Sequence, residues 1–417
     1  MSKRTLAAVM AGLMLSTASF SAMATDLVIY HTWSAGPEVA ALNVLKSALE
    51  AKGHSWTDIA IPHDTGSNVN LMSMVTGGSP PNLFVESNPG IYRDLAGLGY
   101  EFDLTQWYAD NHILENLPKA VADSLSVDGK IVKVPMALHI DGMVYYNMDV
   151  AKKAGVDPAS WTSLDAMFAD FPKIREAGFA PLAVGSQPFQ VGYLFHTLVA
   201  AVAGQELYNR VYGEDVDETA LDDPAFAKAL EELRLFANEA GPESQNRPWN
   251  ETTNEVISGK ALMQIHGDWM KGEWLAAGKK AGTDFGCLPI PGAMAVSASV
   301  DSWGLLGGSG VADDVKKAEL DFASIVVDPE IQAKFAAAKG STPVRSDAPA
   351  ASLDACSSEV LSILSDPTKG VQTPNAITDA DWRNSIWDVV FNYWSDPSMT
   401  VEDAIAKMKE NYETILG

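Results

Sequence analysis

Short apolar segments alternate with amphipathic ones along most of the chain. The run DLVIYH at Asp26–His31 predicts a strand, and an amphipathic helix is expected at 38–52, after a turn of small residues. The alternation continues with an expected helix near 68–76, a strand at 82–86 and a helix at 91–97. Repeated strand and helix segments predict an α/β fold with a mostly parallel sheet flanked by helices.

The pattern changes near the middle of the chain. The segment GKIVKVPMALHIDGMVYY, residues 129–146, is rich in strand-forming residues and carries Pro135. Because proline lacks an amide proton, Pro135 predicts a sheet edge or a crossing between two domains. A second lobe richer in helix is expected beyond it, with helices at 163–177, 189–203, 223–240, 249–258 and 269–277 and strands at 261–266 and 285–289. A strand at 300–307 and helices at 312–327, 329–338, 381–392 and 401–415 complete the prediction.

The first 24 residues have the pattern of a secretory signal peptide. Lys3 and Arg4 precede an apolar run at 6–15, and small residues lead to Ala22 and Ala24. The apolar run is too short to span a hydrocarbon core of about 30 Å. We expect cleavage after Ala24 and location in the periplasm. Because the residue directly after that site is not a cysteine, a lipid anchor is not expected.

Length and charge narrow the class of protein. A chain of 417 residues with 47% hydrophobic residues has enough apolar side chains for about two domain cores. Removing Lys3 and Arg4 with the signal peptide, and no acidic residue, would move the formal net charge from −25 to −27. Such a chain is repelled by nucleic acid and by anionic membranes. We expect a monomer with no nucleic-acid partner.

The chain contains two cysteines, Cys287 and Cys356. A small even number in an exported protein favours a single disulfide, and the alternative is a pair of buried free thiols. Two cysteines and scattered histidines do not form a metal-ligand pattern, so no metal site is expected.

Several motifs occur in an order that resembles a known family. They are HTWSAGPEVAALNVL, GGSPPNLF, VPMALHIDGMVYYN, GSQPF, RPWNETTNEVISGKALMQIHGDW, DFGCLPIPG, VDSWGLL and KGSTPVR. Together they resemble the family 1 extracellular solute-binding proteins of ABC importers, and within that family the glucose- and mannose-binding subgroup. The resemblance implies a two-lobed, type II periplasmic-binding-protein fold like that of maltose-binding protein, with a hinge and a ligand cleft between the lobes. It also implies a sugar ligand and the permease subunits of an inner-membrane importer as partners.

The lobes are expected to be discontinuous in sequence. We expect residues 25–135 plus about 300–340 to form the N-terminal lobe, and about 136–299 plus 341–417 to form the C-terminal lobe.

The resemblance also implies the ligand-contacting positions. A sugar offers an apolar face and a rim of hydroxyls, so its site needs aromatic rings and fixed polar groups. Trp33 and Trp269 are expected to stack on the sugar, Glu38 and Asp301 to accept from hydroxyls, and Lys339 to donate. The remaining candidates are Ser87, His139, Asp141, Gln187 and Asp268. Core packing of Trp33, a structural role for His139, and a salt bridge involving Asp301 or Lys339 are the alternatives, and Trp249 is expected to pack.

Three positions depart from the subgroup pattern. Subgroup members commonly carry a tryptophan at Thr32, a lysine near Ser87 and a histidine near Asn375. Losing an aromatic ring and a cation would reshape the pocket. A glucose-like monosaccharide is therefore the first expectation, with another monosaccharide, a polyol or a small disaccharide as alternatives.

The sequence favours a binding protein without catalytic residues or a cofactor. It contains no nucleophile elbow, zinc-protease motif, phosphate-binding loop or dinucleotide fingerprint. Asp268 and Asp301, each beside a tryptophan, could mimic the paired carboxylates of a glycosidase, although such pairings arise freely among 54 acidic residues. A secreted glycoside-active enzyme and a binder of a non-sugar solute remain the alternative functions.

Overall fold

The computed structural model describes residues 25–61, 67–349 and 353–417. Within them lie thirteen strands: β1 (Asp26–His31), β2 (Ser55–Ala60), β3 (Leu83–Val85), β4 (Ser126–Val127), β5 (Lys130–Ile131), β6 (Lys133–Ile140), β7 (Met143–Asn147), β8 (Ala180–Leu182), β9 (Ala261–His266), β10 (Phe285–Pro289), β11 (Val296–Leu305), β12 (Thr342–Pro343) and β13 (Gly370–Gln372). Residues 1–24, which carry the signal-peptide prediction, lie outside the described residues.

The same residues form seventeen α-helices: α1 (Gly36–Ala51), α2 (Ser67–Thr76), α3 (Pro89–Gly97), α4 (Thr105–Asp110), α5 (Lys119–Ser124), α6 (Met148–Ala154), α7 (Leu164–Glu176), α8 (Pro188–Tyr212), α9 (Pro224–Glu239), α10 (Trp249–Ile257), α11 (Lys271–Ala276), α12 (Asp313–Val326), α13 (Pro329–Lys339), α14 (Ala355–Leu364), α15 (Pro374–Ile377), α16 (Ala380–Ser395) and α17 (Val401–Ile415). Among these helices, none combines the length and the apolar character needed to cross a bilayer.

A seven-stranded sheet contains the first strands of the chain. Its order is β12-β6-β11-β3-β1-β2, with β13 pairing to β11. β1 runs parallel to β2 and β3, whereas β11 is antiparallel to both β3 and β6. The prediction of a mostly parallel sheet is therefore wrong. The sheet is mixed because β11 returns from the second half of the chain in the opposite direction.

A four-stranded sheet lies in the second half of the chain. Its order is β10-β7-β9-β8, and only the pair β8 and β9 is parallel. The long helix α8 packs against α9 and α16 on this side of the molecule. Buried side chains of these helices form a core that includes Phe195, Tyr208, Phe226 and Trp382. A second core, around Leu27, Leu45, Trp303 and Phe322, supports the seven-stranded sheet.

The chain passes between the two sheets through short connections. Residues 141–142 join β6 to β7, and residues 290–295 join β10 to β11. At the first connection, a Cβ atom on Gly142 would lie 2.1 Å from Thr197 Cγ2, so only glycine fits. The sequence positions at which one lobe gives way to the other stay a prediction.

Pro135 lies inside β6, which is not the outermost strand of the sheet, but at this residue β6 pairs with β11 alone. β12 pairs with β6 only at Leu138 and Ala137, and the register with β11 shifts between Asp301 and Ser302, next to Pro135. A bulge of this kind removes the need for the ladder hydrogen bond that proline cannot donate. On the side facing β12, β6 is therefore locally unpaired at Pro135, as at the edge of a sheet, and the expectation of an inter-domain crossing there stays a prediction.

Two predicted helices differ in extent. The helix expected at 189–203 is α8, which continues to Tyr212 across a kink at Gly204, where φ is +72°. Glycine adopts this left-handed conformation without the strain that a Cβ atom introduces. The helix expected at 269–277 is a 3₁₀ turn at Asp268–Met270 followed by α11.

The predicted disulfide is confirmed. Cys287 in β10 bonds Cys356 in α14, across 69 residues of sequence. Near it, the buried Lys271 ammonium lies 3.0 Å from the Asp354 carboxylate and 2.6 Å from the Ser357 hydroxyl. The disulfide fixes α14 to the four-stranded sheet, and the contacts of Lys271 fix the start of α14 to α11.

Candidate ligand-binding site

Charged residues from four elements meet where the two sheets approach each other. His139 in β6 places Nδ1 2.5 Å from Asp268 Oδ1 and Nε2 3.0 Å from Asp301 Oδ2. Asp268 follows β9 of the four-stranded sheet, and Asp301 lies in β11. Lys339, at the end of α13, forms an ion pair with Asp301. All four are predicted site residues, and the structure brings them together. We call these four residues the charged chain.

The charged chain is electrostatically balanced. Burial alone would lower the pKa of His139, but the negative charges of Asp268 and Asp301 raise it to about 9. Burial alone would raise the pKa of Asp301, but the positive charges of Lys339 and His139 hold it well below its usual range. At neutral pH the charges of the two carboxylates and the two cations therefore cancel. The charged chain can form hydrogen bonds with a ligand while carrying no net charge.

Trp33 contacts Lys339, the last residue of the charged chain, on the side of the seven-stranded sheet. The Lys339 ammonium lies 3.6 Å from the centroid of the Trp33 ring, which is a close cation–π contact. The edge of Trp303 and the ring of Phe335 also contact Trp33, and its side chain is only 4% exposed. In this conformation Lys339 covers the ring that was expected to stack on a sugar. The stacking role of Trp33 stays a prediction.

Glu38 binds backbone amides next to it in sequence, and the backbone of Ser87 binds a lysine side chain. The Glu38 carboxylate accepts hydrogen bonds from the amides of Ser34 and Ala35, both at 2.9 Å, and so closes the first turn of α1. Burial raises the pKa of Glu38 although the Lys339 charge opposes the rise. The Ser87 carbonyl accepts from the Lys133 ammonium at 2.6 Å. Lys133 thus brings an ammonium to the loop where the resemblance expects a lysine.

Asp141 and Gln187 make their side-chain hydrogen bonds with residues outside the charged chain. The Asp141 carboxylate is fully buried and is bound by His196 Nε2 at 3.1 Å and by the hydroxyls of Ser297 and Ser299 at 2.8 and 2.9 Å. These contacts hold the first connection between the sheets and lower the pKa of Asp141 against the effect of burial. Gln187 precedes α8, and its side-chain oxygen accepts from Gln190 at 2.8 Å.

Trp269 carries a partly exposed ring beside the charged chain. The rings of His139, Tyr193 and His266 meet it edge-on, with centroid distances of 5.5, 5.6 and 5.0 Å. This arrangement fixes the indole plane and leaves part of its surface open. A fixed, partly open indole is the kind of surface on which the apolar face of a sugar packs.

Sequence reasoning missed two aromatic residues around Trp269, Tyr193 and Phe189, and correctly expected Trp249 to pack. Tyr193 and Phe189 are four residues apart on α8, and the rings of Phe189 and Trp249 lie 5.9 and 6.0 Å from His266. The i, i+4 spacing of Phe189 and Tyr193 places both on one helix face and was the signal available in the sequence. We call Trp269, Tyr193, His266, Phe189 and Trp249 the aromatic cluster.

Two buried polar atoms beside Trp269 are unsatisfied hydrogen-bonding groups among the described residues. Asp268 Oδ2 and His266 Nε2 have no hydrogen-bond partner within the described ranges. Burial lowers the pKa of His266 to about 3, so that its imidazole is neutral at physiological pH. A buried polar group without a partner costs free energy, which a ligand that supplies the missing partner would recover. No cluster of three or more potential metal ligands occurs in the part of the chain that the structure describes.

Comparison with known proteins agrees with this architecture. Residues 34–317 match the family described as bacterial extracellular solute-binding protein. A probable sugar-binding periplasmic protein of Mesorhizobium japonicum is 32% identical over 359 residues, which cover 84% of each chain.

Solved structures show the same fold. A chitin oligosaccharide binding protein superposes with a TM-score of 0.81 at 18% identity, over 94% of this chain and 98% of its own. The solute receptor AcbH, described as having an exclusive preference for β-D-galactopyranose, superposes with a TM-score of 0.79 at 17% identity, over 94% and 100%. The chain has the two-lobed α/β fold of maltose-binding-protein-like proteins and belongs to the family of bacterial extracellular solute-binding proteins.

Proposed function

We propose that the chain is the periplasmic binding component of an ABC importer and that it captures a neutral sugar, first of all a glucose-like monosaccharide. The open surface of Trp269 beside the unpartnered Asp268 Oδ2 carries the proposal. An aromatic face next to a buried hydrogen-bond acceptor suits a ring that is apolar on one side and bears hydroxyls at its rim. The names of the sugar-binding relatives support the same class of ligand.

The charge balance of the site supports a neutral ligand. His139 and Lys339 offset Asp268 and Asp301, so a free carboxylate or ammonium on the ligand would lack a counter-charge in the charged chain. A polyol or a disaccharide has the same hydrogen-bonding chemistry and is the second candidate.

Binding and delivery fit better than glycoside hydrolysis. Asp268 and Asp301 both direct an oxygen at the His139 imidazole, so a ring of the protein lies between the two carboxylates. Glycosidase carboxylates must instead flank the substrate bond. A glycosidase would release product from aryl glycosides and would lose that activity on changing Asp268 to Asn, whereas we expect no product.

A thermal-shift panel tests the proposed function. Residues 25–417, the expected mature protein, are heated with monosaccharides, polyols, disaccharides and amino acids in turn. A ligand that binds only the native state raises the melting temperature. We expect a rise with one sugar or a small set of sugars. A rise with amino acids alone would refute the proposal.

Closure of the two lobes over the sugar is the proposed mechanism. Contacts from both sheets to one ligand exist together only when the sheets are close, as they are at His139 and Asp268. The ligand then shifts the equilibrium towards the closed form, which the permease would recognise. Small-angle scattering should show a smaller radius of gyration with saturating sugar, and an unchanged radius would contradict closure.

A further inference from the structure

The hydroxyl of Tyr193 ends a chain of hydrogen bonds that begins at a buried arginine. Arg383 in α16 donates from a terminal guanidinium nitrogen to Asn375 Oδ1 at 2.8 Å. Asn375 in α15 then donates from Nδ2 to Tyr193 Oη at 2.7 Å. These hydrogen bonds thus link α8 to α15 and α16, which come much later in the sequence. Asn375 occupies one of the three positions that depart from the sugar-binding subgroup.

The direction of these hydrogen bonds is fixed by chemistry. A guanidinium has donors only, so it requires the oxygen of the Asn375 amide. The amide NH₂ must then face Tyr193, and the phenolic oxygen must accept. Tyr193 therefore keeps its own proton for another acceptor, and among the residues that the structure describes no acceptor is bonded to it.

Several contacts fix the side chain of Arg383, the residue at which this series of hydrogen bonds begins. Its side chain is 8% exposed, its Cζ lies 5.1 Å from the centroid of the Trp387 ring, and a second guanidinium nitrogen donates to Asn384 Oδ1 at 2.9 Å. The negative charge of Glu86, on the loop after β3, favours the charged guanidinium. With Arg383 fixed, the orientation of the Asn375 amide is fixed as well.

Tyr193 lies in the candidate site. Its ring is partly exposed and meets Trp269 at 5.6 Å. Burial and the negative charge of Asp141 raise its pKa well above the usual range, with a smaller contribution from Asp301. The phenol is therefore neutral and retains its proton at any physiological pH.

We propose that Tyr193 is a further ligand-contacting residue, whose hydroxyl donates a hydrogen bond to one oxygen of the sugar held at Trp269. Asn375 and Arg383 are positioning residues, because they reach the ligand only through Tyr193. The inference rests on the proposed function and deepens it. In this arrangement one hydroxyl oxygen of the ligand accepts a hydrogen bond from Tyr193, and one hydroxyl group donates a hydrogen bond to Asp268 Oδ2. The two contacts together favour sugars whose hydroxyls lie at the matching positions.

Calorimetric titration with deoxy sugars tests the inference. The probes are D-glucose, D-mannose, D-galactose and maltose, followed by the monodeoxy analogues of whichever binds most tightly. Removing the oxygen that Tyr193 contacts should weaken binding to the wild-type protein about tenfold, which is the net effect of one hydrogen bond. Tyr193→Phe should bind the parent sugar about tenfold more weakly than the wild type does. Tyr193→Phe should bind the parent sugar and that one analogue equally well, because the hydrogen bond is already absent.

Two further variants separate the contact from general damage. Tyr212→Phe is the matched control, because Tyr212 ends the same helix and its buried hydroxyl has no partner among the described residues; its affinities should equal those of the wild type. Asn375→Asp keeps the size and the acceptor for Arg383 but replaces the NH₂ by a second acceptor. The Tyr193 proton should turn towards that carboxylate, and the preference for the parent sugar over the analogue should vanish.

The outcomes distinguish this inference from the proposed function. If Tyr193→Phe and Asn375→Asp both keep wild-type affinity and wild-type discrimination among the deoxy analogues, Tyr193 does not contact the sugar and the inference fails alone. If the wild-type protein binds neither these four sugars nor any sugar or polyol of the thermal-shift panel, the proposed function and the inference fail together.

Discussion

Replacing His139 by Gln should change how stability depends on pH. On folding, the pKa of His139 rises from 6.5 to about 9, because Asp268 and Asp301 outweigh the cost of burying the charged imidazole. The folded protein then binds one more proton than the unfolded chain between these two pH values. The stabilisation is fully present below pH 6.5 and is lost as the pH rises through about 9. A shift of this size corresponds to about 3 kcal/mol in the free energy of unfolding.

Urea denaturation, followed by circular dichroism at several pH values from 6 to 10, measures this effect. The difference in unfolding free energy between wild type and His139→Gln should shrink by about 3 kcal/mol across that range. Lys133, whose burial lowers its pKa to about 8, titrates in both proteins and cancels in the difference. His112→Gln on the exposed surface is the control. Parallel pH profiles for wild type and His139→Gln would refute the assigned charge state of His139.

Three further changes test the fold and the charged chain. Reducing the Cys287–Cys356 bond, or replacing Cys287 by Ser, should destabilise the protein by about 4 kcal/mol, and an unchanged melting temperature in reductant would contradict this. Lys339→Met leaves the partly buried Asp301 carboxylate without its ammonium and should cost about 3 kcal/mol in urea denaturation; no loss would show that the ion pair is not formed in solution. Gly204→Ala places a side chain at φ +72° and should cost about 1–2 kcal/mol, whereas a stabilised variant would contradict the kink in α8.

The sequence predicted elements well where the apolar pattern was strong. β1, β9, β10 and α17 have the predicted boundaries, because each combines regular spacing with clear ends. β2 was missed, since only Trp56 among its six residues is buried and its pattern is largely polar. Strand direction was misjudged because the return of β11 into the first sheet depends on contacts distant in sequence.

The candidate site could be predicted only in part. The family resemblance located the four residues of the charged chain, of which only Asp268 follows the end of a strand. The contact between Tyr193 and Asn375 spans 182 residues, and no local pattern signals such a pairing. The covering of Trp33 by Lys339 also depends on tertiary packing. The ligand roles of the ten predicted site residues stay predictions.

Titration calorimetry of Trp269→Ala against the wild-type protein tests the central claim most directly. The sugar with the largest thermal shift should bind the wild type with one site per chain, and Trp269→Ala should bind at least about tenfold more weakly, since the indole supplies the open aromatic surface. Trp107→Ala, which removes a partly exposed indole on α4, should bind like the wild type. Wild-type affinity in Trp269→Ala would contradict a sugar site beside the charged chain.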